Sequence, residues 1–233
     1  MTSWEKIWNN EDRLNEIILD CLIRCDGFDT LAGKFQPKNW IEYSERLIEL
    51  AGIKTNDSVF EIGCGSGAFL YSLYLKNYEI GGCDYSSPLI KIAKRFMPEG
   101  EFILSEASEL KLHEKKFNAV ISHSIFFYFK NLEYAENVFK KMLQFSSDKI
   151  AIFDINDQEK SENYYLDRMN KFLEQGGTRE EYEQKYKNLN HLFYEKEWFI
   201  NLAKKYNLKV KIIDQDYKKY GYAKYRFNAI YQK

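Results

Sequence analysis

The chain has 233 residues, a length that fits one compact domain carrying an insertion. Lys and Arg total 34 against 35 Asp and Glu, a formal net charge of −1, so composition provides no general attraction to DNA, RNA or anionic membranes. No apolar run approaches the ~18 residues of a membrane span, and the first residues lack a signal-peptide core. We therefore expect a cytoplasmic protein without a membrane partner.

Strand and helix patterns alternate along most of the chain. Residues 4–25 predict an amphipathic helix, and Pro37 opens a second helix that stops near Gly52. The pattern then predicts strand 59–62, helix 66–76, strand 79–83, helix 88–97, strand 101–105, strand 117–122, helix 132–145 and strand 149–155. This alternation is typical of a parallel sheet covered by helices.

The last third of the chain differs from this pattern. Residues 158–206 are polar and helical in spacing, which indicates a cap, and two strand-like runs follow at 208–214 and 225–231. These two runs are too close together for a parallel crossover, so we expect them to be antiparallel. The whole predicts one α/β domain: a seven-stranded, mostly parallel sheet with an antiparallel last strand and helices on both faces. Its parts are a helical N-terminal lid (1–52), a core (53–157), a helical cap insertion (158–207) and a terminal β-hairpin (208–233).

The four cysteines offer little to a metal ion. They form no C-x-x-C pair and have no matching histidine spacing, so we expect no metal cofactor. Cys21 and Cys25 share one face of the predicted first helix, where we interpret them as apolar packing. Reduced thiols are expected throughout.

The most informative segment runs from Val59 to Leu70. An apolar strand carries one acid, Glu61, and gives way to Gly63, Gly65 and Gly67. Glycine lets the backbone approach a ligand closely, and the following helix presents free N–H groups, so the segment favours a nucleoside-bearing ligand. A turn without a ligand stays open. So does a dinucleotide site, because Gly63, Gly65 and Ala68 also fit the NAD-binding fingerprint.

The acid followed by three alternating glycines resembles motif I of the class I S-adenosylmethionine-dependent methyltransferases. The resemblance covers about residues 50–155 and 208–233, and it implies that S-adenosylmethionine is the donor, that S-adenosylhomocysteine is the product and that no metal takes part. The implied cofactor-binding residues are Glu61, Gly63, Cys64, Gly65, Gly67, Asp84, Tyr85, Glu106, Ala107 and Ser122.

Three of these positions carry particular implications. Asp84 closes the second strand, where the family places an acid that accepts the ribose hydroxyls; a cap for the following turn is the alternative. Ser105-Glu106-Ala107 resembles the acid-then-alanine step beside the adenine, although Glu106 could be a surface acid. Ser122-His123 ends the fourth strand, beside the usual place of the sulfonium and the acceptor.

His123 is the candidate catalytic base of the three histidines. It could instead pack near the cofactor without moving a proton. His191, in the predicted cap, is the alternative base, whereas His113 lies in a charged loop. Tyr128, His191 and Arg226 are the candidate substrate-binding residues. Arg226 could hold a phosphate or carboxylate of the acceptor, or form a structural ion pair.

Several acceptors are disfavoured by the sequence. Ser122-His123-Ser124-Ile125 stands where many enzymes that methylate nitrogen carry N/D-P-P-Y/F, and no Pro-Cys nucleophile is present. We therefore expect no DNA partner, and methylation of an oxygen on a small polar metabolite such as a sugar, a phosphorylated compound or a precursor of a surface glycan or secondary metabolite. Alternatives are an N-methyltransferase, a protein or RNA methyltransferase, an NAD-dependent oxidoreductase and a non-catalytic cofactor-binding protein. The sequence does not identify the acceptor, and a homodimer stays open.

Overall fold

A computed structural model describes residues 11–29, 34–112, 115–187 and 191–233. The described residues form one sheet of seven strands: β1 (Val59–Ile62), β2 (Ile80–Asp84), β3 (Glu101–Leu104), β4 (Phe117–His123), β5 (Ser146–Asn156), β6 (Lys209–Asp214) and β7 (Arg226–Gln232). They also form eight α-helices: α1 (Glu11–Cys25), α2 (Pro37–Leu50), α3 (Ala68–Tyr74), α4 (Ser87–Phe96), α5 (Leu132–Phe145), α6 (Ser161–Glu174), α7 (Arg179–Tyr186) and α8 (Lys196–Tyr206). His113 and residues 4–10 of the predicted first helix lie outside the described ranges.

The sheet has the order β3-β2-β1-β4-β5-β7-β6. Strands β1 to β5 are parallel, and β7 runs antiparallel between β5 and β6. This arrangement confirms the predicted mostly parallel sheet and its antiparallel terminal pair. Each predicted strand is present, with bounds that differ by at most three residues.

Helices cover both faces of the sheet, which explains why the central strands are continuously apolar. Alternate residues of β1 point to opposite sides: Val59 belongs to a core formed with α1 to α4, whereas Phe60 and Ile62 belong to a second core formed with α5 and α8. All four residues of β1 are buried. Glu61, the acid of this strand, is therefore buried because the apolar residues on both sides of it pack into the core.

The first described helix buries only part of its apolar surface. Leu14 is 57% exposed and Ile17 is 59% exposed, while Leu19, Leu22 and Ile23 are fully buried. The helix has two neighbouring apolar stripes, and only the second packs against α2 and α3. The predicted apolar packing of Cys21 and Cys25 is wrong, because both thiols are exposed.

The segment predicted as a cap contains two kinds of helix. Helices α6 and α7 are joined through Gly176 and Gly177, and Thr178 begins α7 with a capping box formed with Glu181. Helix α8 instead packs on the sheet, because Phe199 is fully buried in the second core. Of the described helices in this segment, α6 and α7 line the cavity and α8 does not.

Two features are absent from the described residues. None of the described helices combines the length and the apolar character that crossing a bilayer requires. Nor do the His, Cys, Asp and Glu side chains in the described ranges form a group of three or more that could hold a metal ion.

Candidate active site

A cavity of about 770 Å³ lies where β1, β2, β4 and β5 end. In parallel α/β sheets, ligands bind outside the carboxyl ends of the strands, so this position follows from the topology. The lining comes from the loop after α1, the glycine turn after β1, the ends of β2, β4 and β5, helices α6 and α7, and the start of β7.

The glycine turn forms the floor of one end of the cavity. Gly63 and Gly65 have φ of 76° and 55°, the left-handed region that favours glycine. The N–H groups of Gly63 and Cys64 donate to the carbonyl oxygen of Cys83 at 2.8 and 2.9 Å, which ties the turn to β2. A Cβ at Gly63 would lie 2.5 Å from the Ile125 side chain. The turn is therefore closely packed as well as open to a ligand.

Three carboxylates surround this turn. Asp84 accepts the N–H groups of Gly65 at 3.0 Å and Ser86 at 2.8 Å. Asp26, from the loop after α1, accepts those of Ser66 at 2.6 Å and Ala68 at 3.1 Å, and so caps α3. Asp26 was missed by the sequence analysis, because its partners lie 40 or more positions away.

Burial makes this acidic end unusual. Desolvation raises the pKa of Asp26 to about 6 despite its backbone hydrogen bonds. Desolvation, followed by the charges of Asp26 and Asp84, raises the pKa of Glu61 well above its usual value. Glu61 Oε2 is buried and has no hydrogen-bond partner among the described residues. Such an end suits a ligand that brings positive charge and hydrogen-bond donors.

The structure places four of the predicted cofactor-binding residues away from the cavity lining. Gly67, with φ of 90°, lies beside Met97, the residue that follows α4, where a Cβ on Gly67 would meet the Met97 side chain. Ser122 is fully buried within the sheet. Glu106 and Ala107 are likewise outside the lining; Glu106 accepts the Tyr134 hydroxyl and lines a neighbouring depression. The others, Glu61, Gly63, Cys64, Gly65, Asp84 and Tyr85, line the cavity, and Tyr85 borders both spaces.

His123 lines the cavity. Its ring is 5.4, 5.6 and 5.1 Å from the rings of Phe28, Trp40 and Phe69. Its Nε2 lies 3.1 Å from the Tyr43 hydroxyl. Burial lowers the pKa of His123 to about 4, so the imidazole is neutral at neutral pH. The neutral form is able to accept a proton, but the surroundings also fit a packing role, and the catalytic assignment stays a prediction.

Asp154 is a buried acid that the sequence analysis did not select. It has φ of 61° at an irregularity in the pairing of β5 with β7. Its Oδ2 accepts hydrogen bonds from Ser124 at 2.5 Å and Tyr220 at 3.0 Å. A residue other than glycine in this conformation is held there by its surroundings, as is common at functional sites. The local signal was an acid within the apolar run from Ile150 to Ile155, the same signal that marked Glu61.

The end of the cavity opposite the glycine turn is aromatic and basic. All three predicted substrate-binding residues, Tyr128, His191 and Arg226, line it, together with Tyr164 and Arg168 of α6. The Tyr164 hydroxyl lies 3.3 Å from His191 Nδ1. Burial, then the charges of Arg168 and Arg226, lowers the pKa of His191 to about 4. The spacing of Tyr164 and Arg168, four positions apart on one helix, was the available sequence signal.

Comparisons with known proteins agree with this architecture. Residues 59–147 match the family model described as "Methyltransferase domain". The chain is 28% identical over 123 residues to a demethylmenaquinone methyltransferase of Thermotoga maritima; the match covers 49% of this chain and 52% of that protein. The chain thus spans about half the length of this curated relative.

Solved structures are similar over nearly the whole chain. The magnesium protoporphyrin IX methyltransferase of Synechocystis PCC 6803, solved with bound S-adenosylmethionine, has a TM-score of 0.62 at 11% identity, covering 100% of this chain and 98% of that one. The plantazolicin methyltransferase BpumL, solved with S-adenosylhomocysteine, has a TM-score of 0.59 at 15% identity, covering 98% and 92%.

The sheet order, the glycine turn and the acid that ends β2 together define the class I methyltransferase fold. The match of residues 59–147 to the methyltransferase domain, together with this fold, supports a class I S-adenosylmethionine-dependent methyltransferase.

Proposed function

We propose that this protein transfers a methyl group from S-adenosylmethionine to an oxygen of a small polar metabolite. The observation that carries the proposal is the single cavity that joins the carboxylates of the glycine turn to His123 and to the aromatic, basic end. Its volume of about 770 Å³ is in the range of small-molecule sites. The match covers about half of the curated relative, so the substrate of that protein is not carried over to this chain. The acceptor is argued from the cavity alone.

The residues of the acidic end fit the donor. S-adenosylmethionine carries a positive sulfonium and an α-ammonium group, and three carboxylates converge on the turn that would receive it. The unpartnered Glu61 Oε2 is a buried acceptor without a donor in the described chain. Asp84 is acceptor-only when ionised, so it would hold ribose hydroxyls while it keeps its two backbone hydrogen bonds.

When bound, S-adenosylmethionine supplies an electrophilic methyl group: the acceptor oxygen forms the new C–O bond, the C–S bond breaks with its electrons left on sulfur, and the acceptor proton passes to a base. His123 is our proposed base, because it lines the cavity between the two ends and is neutral at neutral pH. Phe28, Trp40 and Phe69 exclude water from its ring. Holding the reactants in place supplies on the order of 7–11 kcal/mol in well-oriented systems.

Calorimetry tests the donor assignment. S-adenosylhomocysteine should bind, and NAD should not. Asp84→Asn should weaken S-adenosylhomocysteine binding by roughly tenfold or more, since it removes a charged acceptor at a cost of about 1.5–3 kcal/mol. The exposed acid Glu133 in α5 provides the control Glu133→Ala. Binding of NAD without S-adenosylhomocysteine would overturn the proposal.

Turnover tests the chemistry. Protein incubated with methyl-labelled donor and a metabolite extract should yield a labelled small molecule, and hydriodic acid should release the label as methyl iodide if it sits on oxygen. A label that resists this cleavage would favour nitrogen. His123→Ala should lower turnover by roughly 10²-fold or more with nearly unchanged donor affinity. Near-full turnover in that variant would remove His123 as the base.

A further inference from the structure

We propose that the acceptor carries an anionic group, a carboxylate or a phosphate, which Arg226 and Arg168 bind at the end of the cavity away from the glycine turn. This inference rests on the proposed methyl transfer, because it names the class of molecule that the same cavity would accept.

Arg226 is the first reason. Its side chain is only 3% exposed, yet Nε and Nη1 have no hydrogen-bond partner in the described part of the chain. The guanidinium lies 4.6 Å from the centre of the Phe127 ring and 5.3 Å from that of Tyr164, so aromatic faces hold it in place. A buried charge with unused donors is costly unless a ligand receives them.

Asp154 does not satisfy this arginine. The distance from Arg226 Nε to Asp154 Oδ1 is 3.7 Å, which is an ion pair but too long for a hydrogen bond. The other oxygen of Asp154 is already occupied by the hydroxyls of Ser124 and Tyr220. The carboxylate therefore compensates part of the charge of Arg226 and leaves its N–H groups available.

Arg168 is the second reason. It lines the same cavity and is 9% exposed. Within the described ranges it forms no ion pair, and its guanidinium lies 4.0 Å from the centre of the Tyr186 ring. Two guanidinium groups at this end thus face one carboxylate, which leaves a formal excess of one positive charge. His191 is neutral here and adds no charge of its own.

The chemistry of the two ends is consequently opposite. Glu61, Asp26 and Asp84 suit the cationic donor, whereas Arg168 and Arg226 suit an anion. A guanidinium offers paired N–H donors that match two oxygens of a carboxylate or phosphate. A neutral sugar would leave the excess charge uncompensated. An acceptor with an anionic group would therefore be both recognised and oriented by its charge, with the reacting oxygen turned toward His123.

Simple anions test the site directly. Inorganic phosphate and acetate would be titrated at constant ionic strength, with and without S-adenosylhomocysteine, while the melting temperature is measured; glycerol is the neutral control. We expect at least one anion to raise the melting temperature of the wild type and of Arg95→Gln, an exposed arginine in α4. The more effective anion identifies phosphate or carboxylate as the bound group.

Variants assign the effect to the arginines. Arg168→Gln should weaken anion binding on the order of tenfold. Arg226→Gln should also weaken anion binding on the order of tenfold. Arg226→Lys keeps the positive charge and should retain part of the rise in melting temperature. It replaces the glutamine variant if that variant does not fold. An anion response equal in the wild type and Arg168→Gln, or no response in the wild type, would overturn the inference. The titration without S-adenosylhomocysteine measures anion binding on its own. The anion result therefore does not depend on whether the donor site binds S-adenosylhomocysteine.

A second measurement uses the unknown acceptor itself. A metabolite extract is separated on an anion exchanger at neutral pH, and each fraction is incubated with the protein and methyl-labelled donor. The labelled product should arise from the retained, anionic fraction. Product from the unretained fraction alone would overturn the anionic assignment while supporting methyl transfer. No labelled product in any fraction, together with no binding of S-adenosylhomocysteine, would count against the proposed function, and the anion titration would then decide this inference alone.

Discussion

Replacing Gly67 with alanine should destabilise the protein without weakening donor binding. Gly67 has φ of 90°, and a Cβ there would overlap the Cε methyl of Met97, which is fully buried. The left-handed conformation costs an L-residue about 1–2 kcal/mol. Moving a packed side chain adds roughly 1–3 kcal/mol. Gly67→Ala should therefore lower the free energy of unfolding by about 2–5 kcal/mol, and the melting temperature by roughly 4–20 °C.

Gly176 provides a matched control. It has the same φ of 90°, but nothing lies within 4 Å of the position that its Cβ would occupy. Gly176→Ala should therefore cost only the conformational term, about 1–2 kcal/mol. Chemical denaturation of both variants measures the difference, which is the packing cost at Met97. Equal destabilisation would refute this reasoning about the Met97 contact. A large loss of S-adenosylhomocysteine affinity in folded Gly67→Ala would instead support the predicted contact between Gly67 and the donor.

Two further predictions concern the lid and its contacts. Folding raises the pKa of Asp26 from 3.8 to about 6, so as the pH falls from 7 to 5 the folded chain gains a proton that the unfolded chain does not. Relative to Asp26→Asn, the wild type should gain roughly 1.3 kcal/mol of stability over that range and should bind S-adenosylhomocysteine more weakly; parallel pH profiles for the two proteins would contradict this. Trp40 is fully buried and donates from Nε1 to the Ala68 carbonyl oxygen at 2.9 Å. Trp40→Phe should therefore cost about 1–3 kcal/mol in denaturation, whereas a neutral effect would mean that the contact between α2 and α3 contributes little.

The fold could be predicted from the sequence because its signals are local. The apolar run from Val59 to Ile62 indicates a strand buried on both faces, and the glycines that follow indicate a turn. The short separation of the last two strands excluded a parallel pair. Each of these arguments uses residues within about ten positions of one another.

The face of α1 could not be predicted in the same way. Leu14 and Ile17 are as apolar as Leu19 and Leu22, and the helical period alone makes both stripes equally good. Which stripe is buried depends on where α2 and α3 lie, and that is decided by tertiary packing. The exposed positions of Cys21 and Cys25 follow from the same choice.

Only some residues of the site could be predicted from the sequence, for a related reason. Glu61 and Asp84 stand beside the turn in sequence as well as in space, so a motif could reveal them. Asp26 reaches the cavity from the loop after α1, and nothing within its own segment marks it. Arg168 reaches it from α6, where only the four-residue spacing from Tyr164 marks it. For Gly67, the motif predicts a ligand contact, whereas the structure shows that a Cβ at this position would meet Met97.

The interior position of β7 has a consequence for the order of folding. Because β7 lies between β5 and β6, the sheet cannot close until residues 226–232 have been synthesised. Until then β5 has an unpaired edge, the kind of surface that recruits other chains. Arg226 is the first residue of that same strand. In a nascent chain, the glycine turn would thus be synthesised long before Arg226. The cavity would be completed at the same time as β7 covers the exposed edge of β5.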